Sequence, residues 1–138
     1  MSDFDNKIVI EVPIYSIEYM NDKLLVAGAG GGQKFGVRNY FRTYKIKNGK
    51  ISKTSCGEVE YPTEMPFYIK AFPKSNTCIV CLSDTLIYYS VNVNSGEITE
   101  LNKTKVIENC GEENYLTILS LNDLLNQAAV GTNNGLLK

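Results

Sequence analysis

Histidine is missing from all 138 residues. Every catalytic triad or dyad built on imidazole goes with it, and so does every metal site that needs one. Charge of one sign is also scarce: 14 Lys and Arg stand against 15 Asp and Glu, a formal net charge of −1, with no basic block. Nucleic acid is thereby disfavoured as a partner, because its counterions are displaced only by a positive face. Nowhere do about 18 apolar residues run together, so no membrane-spanning helix is expected. The acidic start MSDFDNKIVIEV lacks the basic-then-apolar layout of a signal peptide. These absences point to a reduced, cytosol-facing chain, and the glycosylation pattern at Asn102 reads as coincidence.

Cysteine is sparse and scattered, at Cys56, Cys78, Cys81 and Cys110. Only CIVC, Cys78 to Cys81, has a metal-like spacing, and it lies in an apolar strand-like run. Residues three apart on a strand point to opposite faces, so buried structural thiols are expected rather than ligands.

What remains is an ordinary globular balance, 43% hydrophobic and 21% charged, in a chain with room for one domain. Strand signals dominate: 7–12, 14–20, 24–29, 40–47, 51–60, 67–72, 77–83, 86–93, 97–108, 115–121 and 127–132. A turn around NDLLNQ, 122–127, is the one helix-like stretch. The runs repeat. PIYSIEYMNDKLLVAG (13–28), PFYIKAFPKSNTCIVC (66–81) and YLTILSLNDLLNQAAVG (115–131) each read as amphipathic strand, polar turn, small-residue apolar strand. A third strand, a glycine turn and a fourth strand follow the first two, at a spacing of about 50 residues. Units of that kind are propeller blades. The fold expected is all-β, a partial β-propeller: a first blade over about 13–61, a second over 66–109 and an incomplete third over 115–138. Closed propellers use about 4–8 blades. The chain is therefore expected to be the front portion of a longer protein, or to associate with copies of itself through uncovered blade faces.

One connection stands apart. Between second and third strands the second blade needs only SDT, whereas the first runs from Gly28 to Asn39 through GAGGGQKFGVRN. A Walker loop fails there, since Gln33 and Phe35 occupy its second glycine and hydroxyl positions; G-x-G-x-x-G fails at Gln33 too. Both would also demand a following helix, and YFRTYKIK is strand-like. Consecutive glycines can instead turn backbone carbonyls onto a monovalent cation, or form a mobile loop without a task. Antiparallel connectivity sets this insertion on one propeller face with YPTEM (61–65) and CGEEN (110–114).

The stretch resembles the glycine-rich loop of the Sec-twelve family, whose animal member is the prolactin regulatory element-binding protein. Gly28, Gly30, Gly31, Lys34, Gly36, Val37, Arg38 and Asn39 match without a gap, while Ala29, Gly32 and Gln33 depart. VPIYSIEY sits where that family begins its first blade. The resemblance covers the leading blades only. It implies a WD-repeat-like propeller on the cytosolic face of the endoplasmic reticulum, membrane-anchored in the full-length protein. It also implies nucleotide exchange on a Sar-type small GTPase during COPII vesicle formation, without bond chemistry. In that family potassium orders the loop, through ligands that the resemblance does not assign individually here. Asn39 is carried over as the catalytic residue, and Gly28, Gly30, Gly31, Gly32, Lys34, Gly36, Val37 and Arg38 as the partner-binding loop. Glu64, Glu112 and Glu113 share the expected face, as partners for basic groups or simply for solubility. This chain alone is expected to exchange little, because later blades are missing. The competing class is a propeller scaffold that docks proteins without exchange.

Overall fold

The computed structural model describes residues 2–32, 36–108, 115–121 and 128–138. Among them every regular element is a strand. The period-two alternation of apolar residues is the cause, since each sheet is covered on one face by the next. The first sheet holds β1 (Phe4–Asp5), β2 (Ile14–Met20), β3 (Lys23–Gly32), β4 (Val37–Lys47), β5 (Lys50–Ser52) and β6 (Gly57–Tyr61). β2, β3 and β4 pair in sequence, and the long β4 then pairs β6 along its first half and β5 at its end. The second sheet is a four-stranded meander of β7 (Tyr68–Phe72), β8 (Thr77–Cys81), β9 (Thr85–Val91) and β10 (Ile98–Lys105). A third begins with the β11 (Leu116–Leu121) and β12 (Ala128–Thr132) hairpin, and a bridge from Gly131 to Leu137 starts its next strand.

Two expected strands come out differently. Residues 51–60 split, because the Ser52 hydroxyl takes the Lys45 N–H at 3.0 Å and donates to the Thr54 carbonyl at 2.9 Å, bending the chain off the ladder. Residues 7–12 form no strand. Ile8 and Ile10 instead pack across the outer face of the first blade on Leu24, Val26 and Tyr44. The candidate turn at 122–127 lies outside the described residues.

The main core lies between the first two blades, where Leu25, Ala27, Phe41 and Tyr61 meet Ile69, Cys78, Val80, Ile87 and Tyr89. Inside it the Tyr61 and Tyr89 hydroxyls bond at 2.8 Å, so neither phenol is left dry and unpaired. A second core joins the second blade to the third hairpin through Cys81, Ile107, Leu116, Leu119 and Val130. At one end of the blades Asn21 donates to the Pro73 carbonyl at 3.0 Å and to Asn76 Oδ1 at 2.8 Å, tying successive turns together. Beside them Lys23, only 3% exposed, reaches Asp22 at 2.7 Å and the Val93 carbonyl at 2.9 Å. The inner strand β2 keeps Ile17 and Tyr19 exposed.

Candidate functional site at the glycine-rich hairpin

The glycine-rich stretch is strand rather than loop. β3 and β4 stay paired through Gly28–Tyr40 and Ala29–Asn39 out to Gly32–Val37, with Gly30 and Gly31 as a bulge outside the ladder. The open connection expected over 28–39 is thereby corrected to paired strand on both sides, through Gly32 and from Val37; residues 33–35, Lys34 among them, lie outside the described residues. Close approach accounts for the glycines. A Cβ on Gly30 would collide with Val37, one on Gly28 would stand 2.8 Å from Val12 Cγ2, and one on Gly32 would strike the Pro62 carbonyl. Gly32 also takes φ 78°, which L side chains rarely adopt. Gly36, by contrast, faces open space.

Asn39 is fully buried, at 0% exposure. Its Oδ1 accepts the Gly30 and Gly31 N–H groups at 3.1 and 3.0 Å, and its Nδ2 donates to the Glu64 carbonyl at 3.1 Å. The expectation that this carboxamide reaches into a partner is therefore corrected: it clamps the bulge to the 61–65 connection. That bond does join the two segments at one end of the blades. Glu64 is half-buried there, while Glu112 and Glu113 lie outside the described residues.

Next along β4, Val37 is 36% exposed. Arg38 pairs with Glu58 at 2.9 Å and Glu60 at 3.1 Å, and Arg42 pairs with Glu58 at 2.9 Å and Glu11 at 3.0 Å. Glu58 and Glu60 stand opposite Arg42 and Tyr40, so period two sets both on the face of β4 that carries Arg38 and Arg42. The hydrogen bond from Arg42 holds the Glu11 carboxyl below its ordinary range. Arg42 lies 3.5 Å above the Tyr40 ring, a cation–π contact. Burial pushes the Tyr40 phenol up to about 12, and its hydroxyl has no partner among the described residues.

A feature the sequence reading missed runs inward from the hairpin. One hollow of about 320 Å³ is bounded by Pro13, Tyr15, Gly30, Gly31 and Met65. A second, of about 470 Å³, shares Tyr15 and Met65 and continues to Phe67, Ser83 and Tyr115. Together they make a trough across the strand ends. Its signal would have been strand register, which pattern alone does not reveal.

Cys78 and Cys81 fall in different cores on opposite faces of β8, and burial pushes both thiols up to about 12. Among the described residues no cluster of three or more acidic, cysteine or histidine side chains could hold a metal, and no helix is long and apolar enough to cross a membrane.

A six-stranded and a four-stranded antiparallel sheet stacked face to face, with a third begun, define a partial β-propeller. No family model matches the chain, and no curated protein matches it. Among solved structures, a protein from Lactobacillus plantarum is similar, with a TM-score of 0.63 at 12% identity. The match covers 91% of this chain and 40% of that protein, so the chain spans well under half of its neighbour's length. At that identity the likeness shows the fold alone.

Proposed function

We propose that this chain belongs to the propeller of a guanine nucleotide exchange factor for a Sar-type small GTPase, acting at the endoplasmic reticulum in COPII vesicle formation. The observation that carries the reading is the Asn39 clamp. The family-like residues Gly28, Gly30, Gly31, Val37, Arg38 and Asn39 fall in one stiffened hairpin, with Val37 exposed near its tip. In this reading Asn39 is a positioning residue, and Val37 and the tip touch the GTPase.

Exchange requires tighter binding of the nucleotide-free GTPase than of the GDP-bound form; linkage then lowers nucleotide affinity by the same factor. A thousandfold effect needs roughly 4 kcal/mol of differential binding, which a hairpin already ordered delivers with less entropic loss. A potassium ion ordering this hairpin belongs to the same reading, held by backbone carbonyls of 28–39 that are not assigned individually.

The test is to measure binding of the full chain to a Sar-type GTPase in nucleotide-free and GDP-bound forms. Preference for the nucleotide-free form, lost in Val37→Asp, is expected; equal affinity for both forms overturns the reading. A second reading, a docking scaffold without exchange, is favoured by the trough.

A further inference from the structure

The trough is shaped by irregularities in three separate strands. β2 slips register between Ile14 and Ser16, β3 between Ala29 and Gly32, and β11 between Leu116 and Ile118. The residues thrown out of the ladders are Tyr15, the Gly30–Gly31 pair and Thr117, and all of them line the trough. Bulges re-aim side chains and are enriched beside functional sites. Three strands from two different sheets sending their bulged residues to one place is a built surface.

Its chemistry is narrow. None of the described residues lining it is charged, in a chain where 21% of residues are. Aromatic and thioether groups from Tyr15, Met65, Phe67 and Tyr115 form the walls, and Tyr15 and Tyr115 are 51% and 39% exposed. The polar groups these side chains and Ser83 offer are hydroxyls, which can donate to a carbonyl. Because the trough crosses strand ends, it offers an occupant no sheet ladder, and the occupant's N–H groups gain no row of backbone carbonyls there. Proline has no N–H, and a polyproline II segment shows carbonyls outward and apolar rings to an aromatic groove.

We propose that this trough binds an uncharged, proline-rich segment of a partner protein in the polyproline II conformation. The test titrates the full chain into a fluorescein-labelled polyproline peptide of about ten residues, followed by anisotropy, with a Gly-Ser peptide of equal length as control. Saturable binding of the polyproline peptide alone is expected. Tyr115→Ala and Tyr15→Ala should each weaken it about fivefold, the loss of one aromatic contact. Both side chains are exposed enough to be removed without disturbing a core, and circular dichroism checks that the fold persists. Absence of saturable binding, equal binding of the Gly-Ser peptide, or indifference to both substitutions in folded protein overturns the proposal.

Discussion

Asn39 spends its carboxamide inside the protein, and that fixes what its loss should do. Asn39→Ala would take the partner from two N–H groups and a carbonyl at a half-buried site, at about 1–3 kcal/mol for each group left unpaired. The expected result is a urea midpoint lowered by an amount matching at least one such penalty, with an unchanged slope; an unshifted midpoint would mean that the clamp does not hold in solution. The sequence match made Asn39 legible as special but not as buried. A residue's partners across a hairpin and in the next connection lie in the third dimension, and glycines carry no side-chain period to announce a strand. The same blindness turned close-packing glycines at 28, 30 and 32 into an apparent loop. Cys78 and Cys81 were legible, because their outcome needs only strand geometry.

Among the elements, turns and sheet edges separate what local chemistry sets from what packing sets. Asn48 and Gly49 both take positive φ, 52° and 73°, the geometry of a two-residue type I′ hairpin, and the Asn-Gly pair says so in the sequence. Gly57 has no such signature; it is required because the Gly96 carbonyl and the Thr43 hydroxyl occupy the space of its Cβ. Gly49→Ala meets nothing within 4 Å, so only backbone strain opposes it, about 1 kcal/mol. Gly57→Ala should cost more, because the second blade must shift away from the first. Chemical denaturation of the two variants should rank them in that order, and the reverse ranking would mean that the blades sit farther apart. The 51–60 split was illegible for a related reason: a serine hydroxyl captured a ladder bond that no propensity scale counts.

Across the whole molecule the two buried interfaces hold groups that resist ionisation. Cys78 and Cys81 are pushed from an ordinary 9.0 to about 12, and Tyr89 from 10.0 to about 12, chiefly by burial. A raised pKa means that the folded state keeps the proton after the unfolded chain has released it. The stability from these groups is therefore complete below about pH 9 and falls as pH climbs from 9 towards 12. Urea midpoints measured across that window should decline, and Cys78→Ala with Cys81→Ala should flatten part of the decline. A flat profile in the parent would show the thiols to be wet. The second blade lends one surface to each neighbour, in two separate cores. A cut between blades would therefore bare oil on both sides of the scissors, and trimming this protein to a smaller working piece asks for a new surface wherever the knife falls.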